Sequence, residues 1–140
     1  MLGDLSEIKV EADLVGNGVN TFVPRQTLPY DLVIELNGEF YRVQIKRASS
    51  HYRFDDDRAV EAQLKTSGRD YNGTKRRKYS VDDFDILAVY CVPWDEVAYE
   101  KWDEAKTCIT LWEDAEKSGA PHLSKGIEDY QWESITETFK

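Results

Sequence analysis

The chain is short of the residues that build disulfide frameworks and zinc sites. It has two cysteines and two histidines in 140 residues, with no CxxC pair and no paired histidines. Both cysteines, Cys91 and Cys108, lie in apolar runs, where a buried free thiol is more common than a disulfide. His51 and His122 are expected in loops and not as metal ligands. We therefore expect any metal to be held by oxygen atoms.

Long apolar segments are also missing. No run approaches the roughly 18 apolar residues that a membrane helix requires. The start of the chain, MLGDLSEIKVEADL, carries acids and lacks the basic-then-apolar order of a signal peptide. The sequence therefore predicts a cytoplasmic protein with no membrane partner. Its length and its 41% apolar content predict one globular domain over residues 1–140.

Positive charge is scarce and is concentrated in one segment of this chain of net charge −9. Residues 1–41 carry seven acids and two bases, residues 42–78 five acids and eleven bases, and residues 79–140 fifteen acids and five bases. An acidic total argues against nucleic-acid binding, but a localised basic patch can attract a polyanion. The alternative is a solvated basic loop with no partner. The acidic ends fit either solubility or adaptation to high salt.

One helix and several strands are predicted. The stretch GDLSEIKVEADLVGNG predicts a helix with Asp4 as its cap, Gly16 to Gly18 at its end, and apolar positions Leu5, Ile8, Ala12 and Val15. Strand candidates are residues 20–24, 31–36, 39–46, 85–93 and 107–112, with a strand or helical turn also open at 59–66. Asn37-Gly38 predicts a two-residue hairpin. Trp132 and Phe139 are possible anchors of the C-terminal stretch. These elements predict an α/β fold around a mixed central β-sheet flanked by helices.

The hairpin brings together groups suited to phosphodiester hydrolysis. Alternation in YRVQIK places Gln44 and Lys46 on one face of a strand. Asp31 starts the partner strand, so an acid, an amide oxygen and an ammonium meet at the same end of the hairpin. Mg²⁺ held by carboxylates, with a nearby lysine to orient water, can supply the chemistry. An acid on the first helix could complete the site.

These residues resemble the PD-(D/E)xK nuclease superfamily. Glu7, the PYD of residues 29–31 and the QIK of residues 44–46 read as Glu…Asp…Gln-x-Lys. The chain is most similar to small archaeal and phage members, namely group I intron-associated homing endonucleases and archaeal-type Holliday-junction resolvases. The similarity also covers RQTLPYDLVIELNGEFYRVQIKRAS, KRRKYSVDDFDILAVY and the tail around GIEDYQWE. It implies a restriction-endonuclease-like core.

The resemblance also implies a role for each residue of the motif. Asp31 would be the principal metal ligand, Gln44 a second ligand through its side-chain oxygen, and Lys46 the water-orienting cation. Glu7 would touch the metal directly or through water. Mg²⁺ is the implied cofactor, and Mn²⁺ is expected to substitute. Gln44 stands where most members have Glu or Asp, which predicts weaker Mg²⁺ binding, although Gln resembles one intron-homing branch. Pro29 is one residue displaced from the usual Pro-Asp pair.

A second group of residues resembles positions that approach the phosphate backbone in such enzymes. These are Arg47, Ser49, Lys75, Arg76, Arg77, Lys78 and Tyr79. Basic side chains there would contribute salt-dependent affinity and little sequence information. Residues 50–80 as a whole are therefore expected to be a basic, mobile, DNA-contacting loop.

Three functions remain open from the sequence. The first is a Mg²⁺-dependent DNA endonuclease, expected as a homodimer because two cuts on a symmetric substrate call for two sites. Its DNA could be a four-way junction, which the short chain favours, or a duplex homing site, which Gln44 favours. The second is a silent nucleic-acid-binding module with a nuclease fold, and the third a protein-interaction domain. Taken one at a time, these residues also have purely structural explanations. Glu7 could belong to a capping box, Asp31 could end a turn before a strand, and Lys46 could be a charged residue that keeps an edge strand from pairing with another chain.

Overall fold

The computed structural model describes residues 5–65, 78–118 and 125–139. Within these ranges there are two α-helices, α1 (Leu5–Gly16) and α2 (Trp132–Thr136). The same ranges contain seven strands, namely β1 (Asn20–Phe22), β2 (Leu32–Leu36), β3 (Glu39–Ser50), β4 (Ala59–Gln63), β5 (Ile86–Cys91), β6 (Glu96–Lys101) and β7 (Cys108–Trp112). In the described ranges no helix is both long and apolar enough to cross a membrane.

The predicted hairpin is confirmed and fixes the register of the first two long strands. β2 and β3 pair antiparallel, with Leu32 opposite Val43 and Ile34 opposite Tyr41. The two residues of the connection have positive backbone angles, with φ of 54° at Asn37 and 82° at Gly38. Positive φ at both positions is the requirement of the tight turn that matches the twist of a hairpin.

Strand β3 is the centre of a mixed sheet, as predicted. It pairs antiparallel with β2 and parallel with β5, where Gln44 lies opposite Leu87 and Lys46 opposite Val89. All six residues of β5 are buried, which explains its continuous apolar sequence. On the far side of β5, strand β6 pairs antiparallel. The sequence patterns had not indicated β6, because its inner residues are apolar in an unbroken run and its ends are charged.

The end of β3 leaves the central sheet and pairs with β4, which in turn pairs antiparallel with β7. Strand β4 therefore lies inside the stretch 50–80 that was expected to be a loop, and the strand alternative at this place is the correct one. Residues 51–58 are irregular. The remainder of the expected loop includes residues 66–77, which lie outside the described residues.

Helix α1 is confirmed, but its predicted buried face is wrong. The side chains that face the sheet are those of Ser6, Val10 and Leu14. Leu5 and Ile8 are each 51% exposed, and Val15 is 57% exposed. The buried side of the helix carries one small polar residue, Ser6, and only two apolar residues. The outer side carries more apolar residues at helical spacing, and for this reason it was predicted to be the buried side.

The C-terminal end of α1 has the hydrogen bonds of a glycine-terminated helix. The Val19 N–H donates to the Leu14 carbonyl at 3.0 Å and the Gly18 N–H to the Val15 carbonyl at 2.9 Å. Gly18 has φ +80°, a conformation that side chains rarely adopt. The predicted end is therefore confirmed. The predicted cap, Asp4, lies outside the described residues.

Two apolar cores cover the two faces of the central sheet. The first lies under α1 and α2, where Trp132 packs edge to face on Tyr99 with ring centroids 5.0 Å apart. The second lies between the opposite face and the β4–β7 pair. Trp132 is buried and Phe139 packs on Tyr41, so both behave as anchors of the C-terminal stretch. Cys91 is buried as expected, but Cys108 is exposed at the first position of β7.

Candidate active site

Asp31 is positioned by the strand that carries the other motif residues. Its backbone N–H donates to the Val43 carbonyl at 2.9 Å, which extends the β2–β3 ladder by one residue. Its carboxylate oxygen Oδ2 accepts a hydrogen bond from the Ile45 backbone N–H at 3.0 Å. The hairpin register therefore holds the carboxylate against β3, because both contacts depend on which β3 residue lies opposite.

Gln44 completes the same arrangement. Its side-chain Nε2 donates to Asp31 Oδ2 at 2.8 Å and to the Ile45 carbonyl at 3.1 Å. Only 6% of Gln44 is exposed, and among the described residues it and Ser6 are the buried polar ones. A buried amide needs such partners, since an unpaired one is costly. Rotation of the amide by half a turn would exchange its NH₂ for its oxygen on the Asp31 side.

Glu7 and Asp31 open onto one shared cavity. The cavity has a volume of about 250 Å³ and is lined by Glu7, Val23, Pro24, Gln26, Thr27, Leu28, Tyr30 and Asp31. Glu7 lies in the first turn of α1 with its side chain exposed. We refer to this space as the carboxylate cavity. It brings together the two predicted acids, which are 24 positions apart in the sequence.

The donor atoms around the carboxylate cavity suit a hard cation. Carboxylate, amide and carbonyl oxygens are the ligands that Mg²⁺ prefers in proteins. In the part of the chain that the structure describes, no three His, Cys, Asp or Glu residues are close enough to form a metal site by themselves. A site here would thus depend on Asp31 and Glu7 together with the neutral oxygen of Gln44.

Lys46 lies on the same face of β3 as Gln44, two residues further along. Its Nζ donates to the Lys65 backbone carbonyl at 2.8 Å. The same Nζ is 5.0 Å from the centre of the Tyr79 ring. Lys65 and Lys78 form an isolated antiparallel bridge, which places the carbonyl and the ring side by side. The ammonium is thus held from two sides.

The residues predicted to contact DNA do not share one surface. Arg47 is exposed, but strand alternation turns it to the face of β3 opposite to Lys46. Ser49 is exposed where β3 pairs with Glu61 of β4, and Lys78 is exposed as well. Tyr79 is only 5% exposed, so most of its ring is covered by protein. The other three predicted residues, Lys75, Arg76 and Arg77, lie outside the described residues.

Arg42 makes contacts beside the site that the sequence did not predict. Its guanidinium donates to both carboxylate oxygens of Asp85 at 3.2 Å each, and to the Asp82 carbonyl at 2.8 Å. The hydrogen bond to Asp85 raises the pKa of Arg42. Arg42 also lies 5.9 Å from the ring of Tyr30, the neighbour of Asp31. The available signal was its position on the Gln44 and Lys46 face of the alternating strand.

The fold is similar to that of a protein of known structure, the bacterial homing endonuclease I-Ssp6803I, with a TM-score of 0.73 over 98% of this chain and 92% of the other. At 18% sequence identity this similarity shows a shared fold. No curated protein matches the chain in sequence. The family model described as PD-(D/E)XK endonuclease matches residues 1–133. The chain therefore belongs to the PD-(D/E)XK endonuclease family.

Proposed function

We propose that the chain is a metal-dependent DNA endonuclease that uses Mg²⁺, with Mn²⁺ as a substitute. The observation that carries the proposal is the position of the Asp31 carboxylate. It is fixed by Gln44 and the Ile45 N–H, on the strand that also presents Lys46. If the residues of the motif lay far apart in the fold, this would argue against activity. Here the hairpin register brings Asp31 into contact with Gln44.

The metal would be held by Asp31, Glu7 and the side-chain oxygen of Gln44. Bound there, Mg²⁺ would neutralise charge on the scissile phosphate and make a water molecule more nucleophilic. The protein itself holds Asp31 in place through two donated hydrogen bonds. Glu7, on a different element, closes the carboxylate cavity from the helix side. The site is therefore assembled from α1 and the hairpin.

Lys46 would stabilise the negative charge on the non-bridging oxygens of the phosphate in the transition state, or orient the attacking water. A fixed ammonium is effective in either role because it needs no reorganisation during the reaction. Exposed Lys78 and the basic residues of the segment 66–77 would hold the DNA backbone by charge. The acidic remainder of the surface would then restrict DNA to this side of the protein.

We propose a duplex site as the substrate, cut by a homodimer. The solved structure that the chain resembles is that of a homing endonuclease, and a glutamine at the place of Gln44 resembles one intron-homing branch of the superfamily. Two protomers are needed because each carries one candidate site and a duplex has two strands to cut. Light scattering on the purified protein tests the dimer, and a monomer with or without DNA would contradict it.

Cleavage assays test the proposed activity. Labelled four-way junctions, matched linear duplexes and a supercoiled plasmid library with random inserts are incubated with Mg²⁺ or Mn²⁺. The matched controls are Asp31→Asn, which removes one charge from the carboxylate cavity, and Glu39→Gln, which removes one from the hairpin turn. We expect linear product from selected plasmids, lost in Asp31→Asn and kept in Glu39→Gln. Paired nicks at the junction alone would replace the homing proposal by a resolvase.

A silent DNA-binding module is the second candidate. It is favoured by the Gln44 amide, which already satisfies Asp31 with a hydrogen bond and adds no charge for a metal. This candidate predicts salt-sensitive binding of DNA with no product at any Mg²⁺ or Mn²⁺ concentration. Turnover that depends on Asp31 would exclude it.

A further inference from the structure

The side chain of Lys46 rests on an aromatic ring that comes from a distant part of the chain. Its Nζ is 5.0 Å from the centroid of Tyr79, within the distance at which a cation is attracted to the face of an aromatic ring. The Lys65 carbonyl accepts one of its hydrogen atoms at 2.8 Å. The ring therefore supplies an attraction in addition to that hydrogen bond.

Tyr79 is itself held firmly. It is 5% exposed and meets Phe84 edge to face, with ring centroids 5.2 Å apart. Phe84 stacks on Trp102 at 4.6 Å, and the Trp102 Nε1–H donates to the Ser80 carbonyl at 2.9 Å. Because Ser80 directly follows Tyr79, the backbone and the ring are anchored by the same aromatic group. The ring can therefore act as a rigid support.

We propose that Tyr79 is a positioning residue for Lys46 in the cleavage reaction, which rests on the function proposed above. A lysine ammonium sits on a flexible four-carbon stem and loses much conformational freedom when it is held in one place. The face of the Tyr79 ring would restrict the motion of that stem and keep Nζ on the Gln44 side of β3.

Three variants distinguish the effect of the Tyr79 ring from the effect of packing in the core. Tyr79→Phe keeps the ring face and removes the hydroxyl. Tyr79→Leu removes the ring but leaves an apolar side chain in the core. Trp132→Leu is the matched control, because it removes a buried aromatic ring from the first core, on the other face of the sheet, and leaves Tyr79 and its aromatic neighbours in place. Folding of each variant is checked by circular dichroism and urea unfolding.

The kinetic readout is single-site cleavage at saturating and subsaturating DNA. For Tyr79→Leu we expect kcat to fall by about 2- to 30-fold, the range that corresponds to loss of one cation–π contact, with KM for DNA unchanged. Tyr79→Phe should cleave like wild type. Trp132→Leu should also keep its kcat, although it unfolds at lower urea. An equal loss of kcat in Trp132→Leu and Tyr79→Leu would overturn the proposal, because general destabilisation of the fold would then explain both.

A second readout does not require activity. The ε-methylene protons of Lys46 should resonate upfield in wild type, because of the ring current of Tyr79, and their signal is identified by its loss in Lys46→Arg. The upfield shift should persist in Tyr79→Phe and Trp132→Leu and vanish in Tyr79→Leu. A random-coil position of this signal in wild type would overturn the contact itself, whether or not Tyr79→Leu folds. A wild type that cleaves no DNA but shows the shift would refute the nuclease function and leave the contact established.

Discussion

Gln44 Nε2 lies 2.8 Å from Asp31 Oδ2, so one candidate metal ligand donates a hydrogen bond to the other. This contact makes the site self-sufficient without a metal, because the charge of the carboxylate is met by the amide and by a backbone N–H. To offer its oxygen to a metal beside Asp31, the amide has to turn and give up this hydrogen bond.

Gln44→Glu should therefore change metal binding and stability in opposite directions. A second carboxylate beside Asp31 raises the charge offered to a cation, and we expect roughly tenfold tighter Mg²⁺ binding. The metal-free protein should lose about 1–3 kcal/mol of unfolding free energy, because a hydrogen bond is replaced by like-charge repulsion. Calorimetry with Mg²⁺ and urea unfolding in EDTA measure the two effects. Gln63→Glu on β4 is the control, and an equal response of both variants would contradict a role specific to Gln44.

Lys46→Met should remove cleavage and leave the fold intact. Methionine keeps an unbranched apolar stem on Tyr79 but carries no charge, so we expect kcat to fall about 10²- to 10³-fold. Lys65→Ala is the matched variant, since Lys65 contacts Lys46 through its backbone carbonyl, which the substitution keeps. Cleavage by Lys65→Ala should stay near the wild-type rate. A Lys46→Met protein as active as wild type would refute the mechanism.

The orientation of α1 predicts that truncation of two leucines on this helix will have very different effects on the unfolding free energy. Leu14 is fully buried in the first core, so Leu14→Ala should cost about 2–5 kcal/mol of unfolding free energy. Leu5 is 51% exposed, and Leu5→Ala should stay within about 0.5 kcal/mol. Urea unfolding of the two variants provides the comparison. Equal costs would mean that α1 packs on the sheet through a different face.

The two thiols should differ in reactivity. Burial raises the pKa of Cys91 from 9.0 to about 12, whereas Cys108 is exposed. With a disulfide reagent at pH 8 we expect one thiol to react quickly, and Cys108→Ala to abolish that fast phase.

The raised pKa of Cys91 in the folded state also predicts a pH dependence of stability. As the pH rises, the unfolded protein releases the Cys91 proton before the folded protein does. This group should therefore lower stability as the pH rises from about 9 towards 12, and a Cys91→Ala variant should lack that contribution.

The elements with a clear local pattern were predictable from the sequence. The Asn37-Gly38 turn, the two strand ends that flank it and the continuous apolar run of β5 all follow from backbone preference or from burial on both faces, whereas β3 continues to Ser50, beyond the predicted end at residue 46. The motif residues Asp31, Gln44 and Lys46 were also placed at one end of the hairpin, by the turn and by alternation. That part of the site needed only the turn and the period of two.

The features that the sequence did not predict depend on contacts between residues that are distant along the chain. The face of α1 that is buried was decided by the sheet beneath it, which accepts Ser6, and the outer face kept the stronger apolar spacing. The pairing of β3 with β4 and the bond of Lys46 to the Lys65 carbonyl come from chain segments with no shared local pattern. Tyr79 could be named from the sequence, but only the folded chain brings its ring to within 5.0 Å of Lys46 Nζ.

The parallel pairing of β3 with β5 also has a consequence for how the protein folds. Val43 and Ile86 are neighbours in the sheet although more than forty residues separate them. The chain must close a long loop before the centre of its sheet forms, and such non-local pairing makes folding slow. The entropy of closure grows only slowly with length, by about 0.6 kcal/mol for each doubling. Insertions or deletions in this connection that spare β4 and the contacts of Lys65 and Tyr79 should therefore cost the sheet little equilibrium stability.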